Sequence, residues 1–164
     1  MSVDKCVIND FLDRFHLQGR CVFTYSVCLF HNDELTSVSC FTKRGDQFEL
    51  VRHCNSVRVI GSLGKTVKHF LRIMKKEIYT FLDMSRFSGD SYAKAGFELV
   101  GVQKPDYSYV KHSKRYHKFL FRKERIKTKL PEFYDPNLTE RQMMQNAGYQ
   151  RLWDCGKLKY LTKP

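Results

Sequence analysis

The sequence of 164 residues lacks any apolar run long enough to span a membrane, and no N-terminal stretch is typical of a secretory signal peptide. It also lacks Cys-x-x-Cys pairs and the Cys/His spacings of zinc sites, although it has 6 cysteines. These absences argue against a membrane protein, a secreted disulfide scaffold and a zinc domain. We therefore expect no metal and no membrane partner, and a cytoplasmic protein whose reduced cysteines act as small core side chains.

Internal repeats and low-complexity tracts are absent as well, and a chain with 42% hydrophobic and 14% aromatic residues can bury one core. We expect a single domain over residues 1–164, with a basic segment at 110–129 and a C-terminal extension at 130–164. In the extension, a capping box of Thr139 and Gln142 predicts a helix. Segments 149–153 and 157–161 flank a turn and predict a terminal β-hairpin.

Apolar spacing in the N-terminal third predicts one helix followed by three antiparallel strands. The strands are expected at residues 21–30, 35–42 and 48–53, with short polar turns between them. The helix is amphipathic, since its apolar side chains fall on one face. These side chains are Ile8, Phe11, Leu12 and Phe15.

A turn of small residues at 58–66 precedes a second helix whose apolar side chains are spaced at i, i+3, i+4 and i+7. These side chains are Val67, Phe70, Leu71 and Met74. Unpaired backbone N–H groups converge at such a helix N-terminus, where the helix dipole also favours negative charge. The turn therefore predicts a phosphate seat, although Gly-x-x-Gly turns before helices also occur without a ligand.

A short strand at 77–83, a helix at 88–96 and a further strand from Phe97 follow this turn. The order resembles the GNAT (Gcn5-related N-acetyltransferase) superfamily. The resemblance implies an α+β fold with a mixed central sheet flanked by helices, and acetyl-CoA or another acyl-CoA as cofactor. In that family, backbone N–H groups of the turn before the long helix hold the pyrophosphate of acyl-CoA. By resemblance, the cofactor-binding residues are Arg58, Gly61, Ser62, Leu63, Gly64 and Lys65.

Acyl transfer to an amine needs a proton donor for the leaving thiolate and a base for the incoming amine. Tyr92 falls where many GNAT members carry a tyrosine that protonates the thiolate, and a core tyrosine is the alternative interpretation. Asp83, at the end of a predicted strand, is a candidate base or substrate-orienting carboxylate, or else a cap for the next segment. Leu63 departs from the family pattern, which usually has Gly or Ala at that point of the turn.

A closer resemblance lies in segments 81–97, 104–110, 115–123 and 148–160. Together they are similar to the GNAT-like domain that bacteriophages carry, often behind the nuclease part of homing endonucleases. The chain is more distantly similar to Mom-type phage proteins, which modify adenine in phage DNA to evade restriction. This resemblance covers most of the chain from about Arg58 onward and implies a role in the cytoplasm of a bacterial host cell.

The formal net charge is +12, and basic side chains concentrate between Val110 and Lys129, where Glu124 is the one acid. Aromatic side chains are interleaved with them, which places stacking surfaces beside phosphate-neutralising charge. This pattern favours nucleic acid as a partner, DNA rather than RNA, over a merely solvated face. The candidate nucleic-acid-binding residues are Arg86, Lys111, Lys114, Arg115, Tyr116, Lys118, Arg122 and Lys123.

Alternation at 107–110 and 117–121 predicts strands with one buried face, and we expect Tyr107 and Tyr116 to be the exposed rings. Two functions are consistent with the sequence. The first is a GNAT-type acyltransferase that modifies a nucleic acid. The second is a non-catalytic GNAT-like module that binds DNA, since no nuclease signature accompanies it. The acyl group, the acceptor and the oligomeric state stay open.

Overall fold

The computed structural model describes residues 3–164. The chain divides into two compact units: the first comprises the residues up to Gln103 together with Lys157–Pro164, and the second is Lys104–Gly156. The second unit is therefore the stretch of chain that connects two parts of the first. The basic segment at 110–129 and most of the expected extension at 130–164 belong to this one unit. The expectation of a single domain over the whole chain stays a prediction.

The first unit is a six-stranded mixed sheet with helices, in agreement with the expected α+β class. The strand order is β1-β2-β3-β4-β9-β5, and all neighbours are antiparallel except β3 and β4. The strands are β1 (Tyr25–His31), β2 (Glu34–Arg44), β3 (Gln47–Asn55), β4 (Ile78–Asp83), β5 (Glu98–Gln103) and β9 (Lys157–Thr162). The helices are α1 (Lys5–Phe15), α2 (Ser62–Met74) and α3 (Asp90–Lys94).

Both predicted amphipathic helices bury most of the face that their spacing indicates, although Phe15 is 40% exposed and Met74 is half-buried. Ile8, Phe11 and Leu12 of α1 are buried, and the Asp4 carboxylate caps the helix by accepting a hydrogen bond from the Cys6 N–H. Helix α2 buries the apolar side chains Val67, Phe70 and Leu71. The Phe70 ring stacks on Phe41 of β2 with 3.8 Å between centroids, which fixes α2 against the sheet.

The parallel pair of β3 and β4 is short. Its register contains only Phe48 opposite Ile78 and Glu49 opposite Tyr79 among the described residues, although β3 continues to Asn55 and β4 to Asp83. At the next position the Thr80 hydroxyl donates to the Leu50 carbonyl at 2.9 Å. The parallel ladder therefore ends in mid-sheet, on the side where β3 leads into the turn before α2.

The second unit has its own three-stranded sheet and its own core. The sheet order is β7-β6-β8, and the strands are β6 (Tyr107–Lys111), β7 (Lys114–His117) and β8 (Gln150–Trp153). The helices are α4 (Lys123–Lys129) and α5 (Glu140–Asn146), with 3-10 turns at Lys118–Phe121 and Pro131–Phe133. The expected capping box of Thr139 and Gln142 begins α5. The buried core residues are Tyr109, Phe121, Ile126, Met143 and Met144.

The expected terminal hairpin is wrong. Strand β8 pairs with β6 in the second unit, whereas β9 pairs with β4 and β5 in the first. The connection between β8 and β9 is held by Asp154, whose carboxylate accepts from the N–H groups of Asp106 and Gly156 at 2.7 and 3.0 Å. Two strands around a turn look alike locally whether or not they pair, so the sequence pattern could not distinguish the two arrangements.

Two expectations for the basic segment are also wrong. Residues 118–121 form a 3-10 turn and not a strand, because the His117 ring nitrogen accepts from the Phe119 N–H at 3.3 Å and begins the turn. Tyr107 and Tyr116 are half-buried against the core of the second unit, whereas Phe119 is 46% exposed. Within the described residues 3–164, no helix has the length and apolar character needed to cross a bilayer.

Gly89 is expected to tolerate no side chain. Its φ is +91°, and a Cβ there would lie 2.1 Å from the Tyr160 hydroxyl. Gly45 provides a matched control, since its φ is +61° but nothing lies within 4 Å of its Cβ position. We expect Gly45→Ala to cost about 1 kcal/mol of unfolding free energy from backbone strain, and Gly89→Ala about 3 kcal/mol because the tyrosine must also move. Urea unfolding of both variants measures this, and equal losses would contradict the close approach.

Candidate active site

The turn before α2 exposes backbone N–H groups at the surface. Gly61 has φ +71° and precedes the first helical residue, and a Cβ built on it meets nothing within 4 Å. The Lys65 N–H donates to the Gly61 carbonyl at 2.9 Å. Among the described residues, no backbone carbonyl accepts from the N–H groups of Leu63 and Gly64. The start of α2 therefore offers unpaired donors and the positive end of the helix dipole to an anion.

The side chains of the turn divide into an exposed set and a buried set. Arg58 and Lys65 are exposed and add two positive charges beside the helix start. Ser62 and Leu63 are buried, with 3% and 9% of their surface exposed. Because the Leu63 side chain belongs to the apolar core, it does not cover the turn. The departure from the family pattern at this residue therefore leaves the backbone donors accessible.

A buried polar network lies beneath the first turn of α2. The Thr66 hydroxyl donates to the carbonyls of Ser62 and Leu63, at 3.1 and 3.0 Å, so it must accept from the Ser39 hydroxyl at 2.7 Å. Ser39 in turn accepts from Nδ1 of His53 at 2.8 Å. Nε2 of His53 is then unprotonated and accepts from the Ser62 hydroxyl at 3.2 Å. Every donor in this chain has an acceptor.

Burial keeps His53 neutral. Partial burial and, to a lesser extent, repulsion from the nearby His16 lower the pKa of the His53 imidazole from 6.5 to about 4. A neutral ring fits the network, because Nε2 can accept from the Ser62 hydroxyl only while it carries no proton. His53 therefore ties β2, β3 and the start of α2 together. It acts on the turn through Ser62 and is a positioning residue.

The sequence interpretation missed this network. No role was predicted for His53. The one signal in the sequence is the i, i+4 spacing of Ser62 and Thr66 on α2. Ser39 lies directly opposite His53 only through the β2–β3 register. The register depends on a bulge between Cys40 and Phe41, which the sequence alone does not place.

Tyr92 lies on α3 at the point where the β3–β4 ladder ends. Its ring stacks on Tyr160 at 5.4 Å and meets Phe97 edge-on at 5.4 Å. Burial raises the pKa of the Tyr92 hydroxyl, and its hydrogen bond with Thr80 lowers it to a lesser extent. The hydroxyl therefore stays protonated at neutral pH. The backbone of α3 also approaches α2, since a Cβ on Gly64 would lie 3.8 Å from the Ala95 Cα.

Asp83 ends β4 and organises the turn that follows. Its carboxylate accepts from the N–H and the hydroxyl of Ser85 at 2.9 and 2.6 Å, and its carbonyl accepts from the N–H groups of Arg86 and Phe87 at 3.3 Å. These bonds are the cap that was the alternative interpretation of this residue. Arg86 is exposed on the same turn. The catalytic assignment of Asp83 and the anion-binding assignment of Arg86 stay predictions.

Several predicted nucleic-acid-binding residues have structural partners inside the second unit. The Lys111 ammonium donates to the Ala147 carbonyl at 2.7 Å, and Lys118 is paired with Asp106 at 2.6 Å. Lys123 donates to the Pro136 carbonyl. These three cations contribute less free charge to the surface than the sequence indicates.

The other predicted residues of this set differ in exposure. Lys114 and Arg115 are exposed at the β6–β7 hairpin, and Arg122 is exposed and stacks over Phe119 at 4.4 Å. Tyr116 packs in the core cluster, with its ring 5.8 Å from that of Phe121. The free charge of the basic segment therefore concentrates at the hairpin and on α4, whose buried side chain is Ile126.

Comparisons with known proteins identify the fold of the chain. No family model matches the chain, and no curated protein matches it by sequence. The solved structure of the ribosomal-protein-S18-alanine N-acetyltransferase from Escherichia coli aligns with a TM-score of 0.56 and 8% identity, over 99% of this chain and 89% of that one. An acetyltransferase from Bacillus subtilis in complex with CoA aligns with a TM-score of 0.49 and 12% identity, over 98% of this chain and 84% of that one.

A GNAT family acetyltransferase from Elizabethkingia anophelis with acetyl-CoA bound gives the same values, a TM-score of 0.49 and 12% identity over 98% and 84% of the two chains. The likeness to the Escherichia coli enzyme, with the mixed sheet and flanking helices described above, shows that this chain has the GNAT fold. The expected fold class is thereby confirmed, apart from the terminal hairpin. At these identities the likeness concerns the fold alone.

The His53 network predicts a specific dependence of stability on pH. The pKa of His53 is lower in the folded protein than in the unfolded chain, so the unfolded chain binds more protons between pH 6.5 and 4. Stability associated with His53 is present above pH 6.5 and is lost as the pH falls to 4. We expect the wild type to lose about 3 kcal/mol more than His53→Gln across this window. Urea unfolding at a series of pH values measures it, and parallel profiles would rule out a buried neutral imidazole.

Proposed function

We propose that the first unit is an acyl-CoA-dependent N-acyltransferase. The observation that carries the proposal is the convergence of a helix start with unpaired N–H groups and a tyrosine side chain on the point where a parallel ladder ends. The Tyr92 hydroxyl is close enough to Thr80 for Thr80 to influence the tyrosine's pKa, the Thr80 hydroxyl donates to the Leu50 carbonyl at that point, and α2 and α3 approach each other at Gly64 and Ala95. One ligand that carries a diphosphate and a thioester would use both features.

The residues of the turn fit the diphosphate of an acyl-CoA. The N–H groups of Leu63 and Gly64 would donate to its oxygens, and Arg58 and Lys65 would neutralise its charge. The space around Gly61 is open, since a Cβ built there meets nothing within 4 Å. The end of the β3–β4 ladder leaves strand backbone without a parallel neighbour, which an extended chain of amides can hydrogen-bond.

When bound, acyl-CoA supplies an acyl group that is activated as a thioester. Tyr92 would give its hydroxyl proton to the departing thiolate, since its raised pKa keeps the hydroxyl protonated at neutral pH. Asp83 would accept the proton of the incoming amine, directly or through water. His53 cannot serve as that base while its Nε2 accepts from Ser62. It holds the turn in place instead.

The acceptor is proposed from the second unit. Residues 104–156 carry twelve Lys and Arg side chains against six Asp and Glu. This excess favours a polyanionic partner, and we propose a nucleic acid, DNA rather than RNA, whose amino groups would take the acyl group. DNA base modification by a phage protein is the narrower hypothesis that the sequence resemblance suggests. A second candidate function is a non-catalytic GNAT-like module for DNA, which the same charge excess favours.

Replacement of the proposed acid tests the enzyme hypothesis. We expect Tyr92→Phe to lower kcat at least about 100-fold while the KM for acetyl-CoA stays unchanged, because the hydroxyl acts only as the thiolate leaves. Thiol release from acetyl-CoA in the presence of an adenine-containing oligodeoxynucleotide or an amine-bearing peptide measures it. Tyr79→Phe is the matched control, since Tyr79 is a half-buried tyrosine of β4. Equal turnover in the Tyr92→Phe enzyme and the wild type would remove this role.

The salt dependence of binding tests the nucleic-acid hypothesis. Each phosphate that the protein no longer neutralises reduces the slope of log affinity against log salt by about 0.9. We expect the fourfold replacement of Lys114, Arg115, Lys127 and Lys129 by Gln to flatten that slope by about 2 or more. Replacement of Lys111 and Lys118 is the control, because both are used inside the unit and their loss should lower stability more than the slope. Affinity that does not change with salt would remove the basic segment from the account.

A further inference from the structure

A cleft of about 370 Å³ opens within the second unit, between α5 and β8. Its volume lies within the range of small-ligand sites. Its lining contains two guanidinium groups, two carboxamides and aromatic rings, and no carboxylate. Among the lining residues are Arg141, Gln145, Tyr149, Gln150, Arg151 and Trp153. None of these is among the nucleic-acid-binding residues predicted from the sequence.

One wall of the cleft is an indole that folding leaves half in solvent. Trp153 is 58% exposed, and one side of it contacts the Tyr107 ring at 5.2 Å between centroids. It is the only tryptophan of the chain. A large ring fixed on one side and open on the other is the geometry on which a planar base can stack.

A held cation stands beside this ring. The Arg151 guanidinium lies over the Tyr107 ring at 4.1 Å, and its Nε and Nη2 are each 3.4 Å from the Tyr109 hydroxyl. The neighbouring Glu140 carboxylate accepts from the hydroxyls of Tyr107 and Tyr109, at 3.1 and 2.8 Å, and lies 4.0 Å from Arg151. Arg151 is therefore oriented before any ligand arrives, which lowers the entropic cost of binding.

The opposite wall adds a second cation and an amide. Arg141 and Gln145 are exposed and lie one turn apart on the same face of α5. A guanidinium binds phosphate through two parallel hydrogen bonds, and a carboxamide can both donate to and accept from the edge of a base. Ring, cations and amides thus face one another across the cleft.

We propose that this cleft binds a single nucleotide unit, with the base stacked on Trp153 and the phosphate held by Arg141 and Arg151. The nucleotide would be unpaired, because a base inside a duplex is already stacked on its neighbours. The proposal deepens the nucleic-acid function proposed for the second unit and is independent of acyl-CoA binding. The same chemistry is present in single-stranded nucleic acid and in a free nucleotide, and the test separates these two sources.

The test uses the fluorescence of Trp153, which reports on this cleft alone because the chain has no other tryptophan. The probes are a ten-nucleotide single-stranded oligodeoxythymidine, thymidine monophosphate and the matching duplex. We expect saturable quenching by the oligonucleotide and about tenfold or greater loss of affinity in Arg141→Gln and in Trp153→Ala, the latter followed by fluorescence anisotropy of a labelled oligonucleotide. Lys129→Gln removes an exposed charge elsewhere in the unit and should weaken binding much less.

Three outcomes would overturn the proposal: no quenching by either single-stranded probe, wild-type affinity in both cleft variants, or equal losses in Arg141→Gln and Lys129→Gln. Salt-dependent binding without quenching would overturn the nucleotide site in the cleft, but it would still support the general nucleic-acid function of the second unit. Quenching by the oligonucleotide and not by thymidine monophosphate would support a single strand as the ligand. Equal quenching by both would support a free nucleotide. Arg141 and Trp153 are exposed, so their loss removes no core side chain.

Discussion

The early end of the parallel ladder between β3 and β4 is the constraint on which the rest of the first unit depends. Two residue pairs join these strands, and the Thr80 hydroxyl then takes the Leu50 carbonyl in place of a third. Each strand is still fixed on its other side, β3 by β2 and β4 by β9. The interruption is therefore held rigidly, and it lies beside the start of α2 and the ring of Tyr92. Strand backbone beyond the end of the ladder is left open to a hydrogen-bonding ligand.

The polar network under α2 makes this arrangement rigid. Burying its polar groups costs free energy, which is offset only because every group is hydrogen-bonded. Buried hydroxyl and imidazole groups destabilise a fold unless each finds a partner, and here one chain of donors runs from Ser62 through His53 and Ser39 to Thr66. The chain returns to the carbonyls at the start of α2. The exposed N–H groups of the turn are thereby preoriented by side chains that an approaching ligand would never touch.

Sequence patterns predicted what depends on local spacing and missed what depends on distant pairing. The faces of α1 and α2, the capping box at Thr139 and the turn at Gly61 follow from residues a few positions apart, and each was predicted. The place of β9 between β4 and β5 and the register that sets Ser39 opposite His53 depend on residues far apart in the chain. The expected exposure of Tyr116 in the basic segment was wrong for the same reason, since side chains distant in the sequence cover its ring. No local sequence pattern indicates the cleft around Trp153.

Calorimetric titration with acetyl-CoA measures whether the start of α2 binds the diphosphate of an acyl-CoA. Gly61→Asp and Gly61→Asn are the decisive pair, because the two side chains have the same shape, both tolerate the left-handed backbone, and only Asp carries negative charge. We expect micromolar binding to the wild type, which Gly61→Asn retains within a few fold and Gly61→Asp abolishes. Undetectable binding to the wild type, or equal binding by the two variants, would contradict it.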